Sequence, residues 1–192
     1  MTKKEKSNSR SSIGARRNPA TETAILDAAS KIVAEKGMSG LKMETVARAA
    51  KAGKATLYRW WPTRGALILA VYQREKPAVS YQDTGNLTDD LHSFASELSA
   101  IWKTEFGAYF KAIIAEAQSD PDVNQELERY RSQRLEGLLI IFKRAEKRGE
   151  LPAGQDHKPR AELMMSMMWQ RLLTNRLNED IDGSIRLLAA KP

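Results

Sequence analysis

The sequence predicts an all-α protein with about nine helices, divided into a small N-terminal helical domain and a larger C-terminal one. Three observations lead to this prediction. Apolar residues recur at the three- and four-residue spacing of a helix along most of the chain. No segment alternates apolar and polar residues over the length of a strand. Stretches rich in Pro, Gly, Asn and Asp, at 76–87 and 148–159, separate the helical segments.

The chain opens on a polar segment. Residues 1–20 carry six Lys or Arg, one Glu and few apolar side chains, so we expect a disordered basic arm there. Helical periodicity begins at Thr21, which we predict to cap the first helix, and Gly37 is a suitable residue to end it. The inward face of this helix is predicted to hold Ile25, Leu26, Ala29, Ile32 and Val33.

Three shorter helices complete the predicted N-terminal domain, residues 21–75. The second helix has Met43, Val46, Ala47 and Ala50 on one side. After the break KAG, the third helix runs from Lys54 to Trp61, where Pro62 stops it. Thr63 is predicted to cap the fourth helix, which packs Leu67, Ile68 and Val71 inward.

The predicted C-terminal domain, residues 76–192, contains five further helices, near 88–104, 105–118, 121–148, 159–175 and 178–190. The long helix at 121–148 repeats apolar residues at helical spacing, and we expect its buried face to consist of Leu127, Tyr130, Leu135, Leu138 and Phe142. The segment ERYRSQR (128–134) is otherwise interpreted as a solvated charged face.

Composition excludes several classes of protein. There is no cysteine, and the two histidines, His92 and His157, lie 65 positions apart, so neither a disulfide framework nor a metal site is expected. No nucleophile–base pair, phosphate-binding glycine loop or catalytic carboxylate pair is recognisable, so we expect no enzyme and no cofactor. A secretory signal is absent and the longest apolar runs are too short to cross a bilayer, which favours a cytoplasmic protein without membrane partners.

The charge is unevenly distributed. Residues 1–76 carry a net charge of +10 and residues 77–192 a net charge of −3. A basic N-terminal part on a mildly acidic remainder is typical of a polyanion-binding module attached to a second domain. A solvated basic surface without a partner is the alternative.

The segment KAGKATLYRWWP (51–62) favours nucleic acid as the polyanion. At 100° per residue, Leu57 and Trp61 share one side of the third helix, and Arg59 lies nearly opposite, flanked by the small residues Ala55 and Thr56. Small neighbours permit close approach to another surface, and Arg can form two hydrogen bonds to a guanine edge. Two short helices around a three-residue turn predict a helix-turn-helix whose second helix enters the major groove. An ordinary helical hairpin with all its aromatics in the core is the alternative.

The segment LKMETVARAAKAGKATLYRWWPTRGAL (41–67) resembles the DNA-binding domain of the TetR/AcrR family of transcriptional regulators. The family pattern is matched by Val46, Ala47, Ala50, Ala52, Thr56, Leu57, Tyr58, Trp61, Arg64 and Leu67. The resemblance implies that DNA is faced by Lys54, Ala55, Thr56, Tyr58, Arg59 and Trp60. It also implies that Arg64 holds a phosphate, and we add Lys42 and Arg48 on the second helix as candidate DNA contacts.

Two positions depart from the family pattern. Lys51 stands where the family usually has a turn glycine, and a left-handed lysine would cost about 1 kcal/mol unless the turn differs. Leu41 and Lys42 replace the usual hydroxyl residue at the start of the second helix, so a side-chain cap is lost, although Lys42 can attract a phosphate by charge.

The segment AELMMSMMWQRLL (161–173) is apolar almost all round, so a helix there must be covered on two sides. One side is the core of its own chain, and the other is most simply a second copy, with the helix near 178–190 completing a four-helix interface that the resemblance also implies. The methionines can instead line an adaptable pocket, or serve both purposes. The resemblance implies a small-molecule cavity, for which the candidate effector-binding residues are Trp102, Phe106, Phe110, Met165, Met168 and Trp169.

Together these features predict a DNA-binding transcriptional regulator: a ligand-responsive repressor that binds a palindromic operator in double-stranded DNA as a homodimer. The alternative is a non-specific architectural nucleic-acid-binding protein that has no effector.

Overall fold

The computed structural model describes residues 18–191, which form nine α-helices and one 3₁₀ turn and contain no strand. The all-α prediction is confirmed. The basic arm, up to residue 17, lies outside the described residues. The helices are α1 Pro19–Lys36, α2 Met43–Ala49, α3 Lys54–Trp60, α4 Arg64–Glu75, α5 Leu87–Trp102, α6 Glu105–Ala117, α7 Pro121–Lys147, α8 Lys158–Leu173 and α9 Asp182–Ala189.

Helix α1 begins at a different cap residue from the one predicted and ends at the predicted one. Asn18, and not Thr21, caps α1: its Oδ1 accepts hydrogen bonds from the amides of Ala20 at 3.0 Å and Thr21 at 3.4 Å. The prediction of Thr21 was wrong because Asn is a strong N-cap and Pro19 behind it is already set for the first helical position. Gly37, with φ of 67°, ends the helix as predicted.

The first four helices share a small core. Ile25 and Ala29 of α1, Val46 of α2, Leu57 of α3 and Leu67 of α4 are all fully buried within it. The Thr63 side chain accepts a hydrogen bond from the amide of Ala66 at 3.1 Å, so the predicted cap of α4 is confirmed. These contacts fix the position of α3 relative to the rest of the module.

Helix α4 belongs to both parts of the molecule, since it packs on α1 and also on α6 and α7. The approach is close at Gly65, where an added Cβ would lie 2.5 Å from Cγ2 of Val123 on α7. A residue with a side chain would not fit there without movement of the neighbouring helix. The N-terminal module and the larger helical part are therefore in direct contact through α4.

The segment between α4 and α5, residues 76–86, has no helix but is held by side chains. The backbone amide of Ser80 donates to Glu97 at 2.7 Å, and that of Thr84 donates to the buried carboxylate of Asp90 at 2.6 Å. Arg148, directly after α7, pairs with Asp83 at 2.6 Å and with Asp90 at 3.0 Å. The predicted domain boundary is thus a fixed connection.

The larger helical part surrounds a core of aromatic and aliphatic side chains from α5, α6, α7 and α8. On α8, Met164, Met165 and Met168 are buried, whereas Leu163 is 60% exposed. On α9, Ile185 and Leu188 are buried, whereas Leu187 is 77% exposed. Among residues 18–191 no helix has the length and apolar content needed to cross a bilayer.

Candidate DNA-binding surface and effector cavity

Helix α3 has one buried and one exposed side. Leu57 is fully buried and Trp61, directly after the helix, is 3% exposed, so both belong to the core as predicted. Arg59 lies exposed on the opposite side, as do Lys54 and Ala55 near the start of the helix. The helix therefore presents a cation between short neighbours to solvent, while its apolar residues fix its orientation.

The side chains at the flanks of α3 are less exposed than Arg59. Thr56 and Trp60 are both half-buried. The Trp60 ring packs edge-on against Trp61, with ring centroids 5.9 Å apart. Trp60 is therefore partly a core residue, with the remainder of its ring available at the surface.

The turn that joins α2 to α3 contains Lys51 in the left-handed region, with φ of 51°. The Ala52 amide donates to the carbonyl of Ala47 at 2.9 Å, which closes the end of α2 as a left-handed residue permits. The lysine thus adopts the conformation that a turn glycine would adopt, at a cost of about 1 kcal/mol. The helix-turn-helix geometry is kept despite the missing glycine.

Tyr58 is held by a residue that the sequence analysis did not single out. Its hydroxyl donates to Oε1 of Glu44 on α2 at 3.1 Å, and this bond raises the pKa of Tyr58. The pKa of Glu44 is lowered, first by a backbone amide hydrogen bond, then by Tyr58, with Lys54 and Lys42 also contributing. A carboxylate therefore lies among the candidate DNA contacts and accepts a hydrogen bond from the hydroxyl of Tyr58, one of the residues expected to face DNA.

Lys42 and Arg48 lie exposed at the two ends of α2. Lys42 is the N-cap residue and makes no side-chain cap hydrogen bond, as expected from the lost hydroxyl. Both side chains are exposed cations, and Lys42 shares its neighbour Glu44 with Lys54 at the start of α3.

Arg64 begins α4 as expected, but its guanidinium binds other parts of the chain. Its Nε donates to the carbonyl of Leu41 at 3.0 Å, and its two other nitrogens donate to the carbonyl of Met38 and to the Glu116 carboxylate of α6. The expectation of a phosphate contact is therefore corrected, because the donors of the guanidinium already face carbonyls of the 3₁₀ turn and an acid 52 positions away. Arg64 joins the helix-turn-helix to α6.

Three of the six candidate effector residues line a small cavity between α5, α7 and α8. They are Trp102, Met165 and Trp169, and the cavity also meets Val79, Phe94, Leu98, Tyr130 and Arg134. Its volume of about 10 Å³ is close to the room that a single water molecule takes. An effector of larger size requires these side chains to move apart.

The other three candidates, Phe106, Phe110 and Met168, belong to the hydrophobic core or pack against it and do not line this cavity. Phe110 stacks on Trp102 with ring centroids 5.4 Å apart and meets Trp169 edge-on at 5.4 Å. The indole nitrogen of Trp102 donates to the hydroxyl of Tyr72, on α4, at 3.1 Å. The aromatic cluster thus connects the cavity wall with α4, the helix that links the N-terminal module to the larger helical part.

The polar atoms near the cavity were not predicted. Four buried side-chain atoms have no hydrogen-bond partner within residues 18–191. One is Nδ1 of His157, and the other three are Nε of Arg134, the hydroxyl of Tyr81 and the indole nitrogen of Trp169. The interpretation of 128–134 as a solvated face is wrong for Arg134, whose guanidinium lies 5.4 Å from the ring centroid of Tyr130. Its spacing of four residues from the inward Tyr130 was the available signal, since such residues share a helix face.

Comparison with known proteins settles the family. The profile described as "Bacterial regulatory proteins, tetR family" matches residues 25–71, and the profile "Tetracyclin repressor-like, C-terminal domain" matches residues 81–189. The chain belongs to the TetR family. It is a helix-turn-helix transcriptional regulator, and regulators of this family bind DNA as homodimers and respond to small molecules.

Individual relatives agree with this assignment. The chain is 28% identical over 163 residues to the uncharacterized HTH-type transcriptional regulator YdeS of Bacillus subtilis, covering 83% of this chain and 82% of that one. It is 30% identical over 135 residues to the HTH-type transcriptional regulator AqdR of Rhodococcus erythropolis, covering 70% of this chain and 65% of the relative.

Solved structures share the fold of this TetR-family chain. The TetR family transcription regulator SCO0332 superimposes with a TM-score of 0.66 at 24% identity, covering 88% of this chain and 94% of the other. FadR from Bacillus subtilis, solved in complex with stearoyl-CoA, superimposes with a TM-score of 0.57 at 16% identity, covering 88% and 98%. At these identities the likeness concerns the fold.

Proposed function

We propose that this regulator is a ligand-responsive repressor in which α3 reads a palindromic operator and the cavity between α5, α7 and α8 receives the effector. The observation that carries the proposal is the division of α3 into a buried side, with Leu57 and Trp61, and an exposed side with Arg59. Arg59 is assigned to a guanine edge in the major groove, where a forked guanidinium distinguishes this base from the others.

The remaining DNA contacts are assigned to the phosphate backbone. Lys42 and Arg48 at the ends of α2, together with Lys54 at the start of α3, are exposed cations around the recognition helix. Ala55 and Thr56 allow close approach, and Tyr58 and Trp60 flank the groove. These contacts position the protein and carry no sequence information, whereas Arg59 supplies base preference.

The homodimer is assigned to α8 and α9. Leu163 and Leu173 of α8 and Leu187 of α9 are exposed apolar side chains on the two helices whose opposite faces form the core. Two copies pairing through these helices would cover them in a four-helix interface. Two-fold symmetry then sets the two recognition helices on a palindromic site, with half-sites separated by a whole number of DNA turns.

Repression is relieved when the effector favours a dimer state whose recognition helices no longer match two half-sites. A hundredfold loss of DNA affinity requires that the effector prefer that state by about 2.7 kcal/mol. Regulation of this kind involves no catalytic step, and its DNA target places the protein in the cytoplasm.

The proposal is tested by selection of bound DNA from a random pool, followed by titration of the selected site at one salt concentration. Arg59→Ala is expected to weaken binding by about 1–3 kcal/mol and to relax preference at one base pair in each half-site. Lys143→Ala removes an exposed cation from the C-terminal half of α7, beside Glu146 and Lys147, and is the control that should bind as the unaltered protein does.

Two results would contradict the proposal. Unchanged affinity and unchanged preference in Arg59→Ala would mean that α3 does not read bases. A pool that yields no consensus would favour the alternative of a non-specific architectural protein, for which binding depends on salt and length alone.

A further inference from the structure

We propose that the effector is an organic anion, an apolar body that carries a carboxylate, and that Arg134 and Lys76 bind this carboxylate. The inference rests on the proposed function, since it assigns the chemistry of the ligand at the cavity already described. It derives from two cations that no acid of the described chain neutralises.

Arg134 differs from the other arginines that are at least partly buried in residues 18–191. Each of the others donates to an acid or a carbonyl: Arg64, Arg131, Arg144, Arg148, Arg160 and Arg171. Arg134 has no such partner in this range, its Nε is buried, and its one described contact is with the face of the Tyr130 ring. Burying a cation without an anion is costly, so this side chain is poised for a ligand that supplies the charge.

Lys76 lies at the C-terminal end of α4, where it is half-buried. Its Nζ donates to the carbonyl of the adjacent Pro77 at 3.2 Å, and no carboxylate among the described residues pairs with it. The pKa of Lys76 is lowered, first by burial and then by the charge of Arg134. The two cations are therefore close enough to repel each other, and an anion bound by both would relieve this repulsion.

Further donors lie around the same position. The hydroxyl of Tyr81 and the indole nitrogen of Trp169 are buried without hydrogen-bond partners in the described chain. The ring of Tyr81 packs on Gly137, one helical turn after Arg134, where an added Cβ would lie 2.0 Å from the ring. A carboxylate accepts about four hydrogen bonds, and an arginine fork, a lysine, a hydroxyl and an indole together supply at least that number of donors.

The rest of the cavity wall favours a ligand whose remaining part is apolar. Phe94, Leu98, Trp102 and Met165 line it and offer no charge. Since the cavity is about 10 Å³, the ligand must displace side chains, and a half-buried Trp169 and an unbranched methionine are suited to move. A small inorganic anion would bind the cations without opening this wall, whereas an organic anion does both.

Binding at this position reaches the DNA-binding module directly. Lys76 follows the last residue of α4, and Arg64 begins the same helix and joins the helix-turn-helix to α6. An anion that draws Lys76 toward Arg134 on α7 moves the far end of α4. The helix then transmits the movement to the module that carries α3.

The experiment uses three carboxylates, decanoate, 2-naphthoate and 4-tert-butylbenzoate, and their primary amides as neutral controls of the same shape. Affinity for the full-length protein is measured at constant ionic strength by quenching of tryptophan fluorescence and by thermal stabilisation. At least one carboxylate is expected to bind saturably and its amide at least tenfold more weakly. Arg134→Gln is expected to weaken carboxylate binding about tenfold or more, as loss of a charge-assisted fork implies.

Two further variants make the result specific. Lys76→Gln is expected to weaken carboxylate binding several-fold, and Arg129→Gln, on the same helix as Arg134 but exposed and paired with Glu126, should leave it unchanged. Three results would overturn the proposal. The amides could bind as well as their acids, or the acids could bind Arg134→Gln and Lys76→Gln as tightly as they bind the unaltered protein. The third is that none of the acids binds at all. Binding to the selected operator, measured separately in each variant, shows whether regulation itself fails, because Arg134→Gln should retain it.

Discussion

The pair formed by Arg64 and Glu116 is predicted to stabilise the contact between the helix-turn-helix and α6, and a double-mutant cycle measures how strongly. The two side chains are 34% and 25% exposed. A charge-assisted hydrogen bond contributes about 1.5–3 kcal/mol when well shielded. Partial exposure and salt reduce this, so we expect a coupling free energy of about 1 kcal/mol.

The single variants differ because Arg64 has more than one partner. Glu116→Gln keeps an oxygen that accepts a hydrogen bond but removes the charge, and should lower the free energy of unfolding by about 1 kcal/mol. Arg64→Gln also leaves the carbonyls of Met38 and Leu41 without their donor, so its expected cost is about 2–3 kcal/mol.

Urea unfolding of both single variants and the double variant gives the coupling free energy, with the slope compared among them to confirm that each unfolds in one transition. A value within about 0.3 kcal/mol of zero is the additivity expected of independent sites, and it would refute the assignment of this pair as the connection. The coupling should also fall as salt is added, since neither partner is fully shielded.

Three other predictions concern α4, the turn and the dimer. Gly65→Ala should lower the free energy of unfolding in urea by about 1–3 kcal/mol, because the added Cβ would overlap Val123. Gly183→Ala is the control: no atom lies within 4 Å of its added Cβ, so no measurable loss is expected. Equal effects of the two substitutions would contradict the close approach at Gly65. Lys51→Gly should raise the melting temperature by about 2–4 °C, since about 1 kcal/mol of left-handed strain is relieved at a φ of 51°, and a lower melting temperature would show that no strain is present. Leu187→Glu should convert the dimer to a monomer in sedimentation at micromolar concentration, because a charge would be buried at the interface, whereas Arg186→Glu on the same helix should have a smaller effect.

The sequence was sufficient where the determining contacts are local. The periodicity of α3 placed Leu57 and Trp61 inside and Arg59 outside, because a helix of known pitch fixes the direction of each side chain. The start of α1 was predicted wrongly because two residues, Thr21 and Asn18, can each act as its N-cap. The proline after Asn18 decides between them.

The sequence was insufficient where a charged side chain finds its partner far along the chain. Arg64 could be recognised as a cation at a helix start, but its acid lies 52 positions away on a different helix, so a phosphate was the more natural expectation. Arg134 was assigned to solvent because it follows a run of charges. Its position four residues from Tyr130 indicated otherwise, yet only the packing of α4, α5 and α8 shows that no acid lies beside it in the described chain.

The placement of α4 has a consequence for how little motion regulation needs. Its 12 residues make a rod about 18 Å long, pivoting near the tight contact at Gly65. A 2 Å swing at the Lys76 end is a tilt of about 6°. Two-fold symmetry applies the same tilt to both subunits, so the two recognition helices turn together relative to the DNA axis. A movement the size of one side-chain contact at the end of α4 is thus enough to misalign both recognition helices with the double helix.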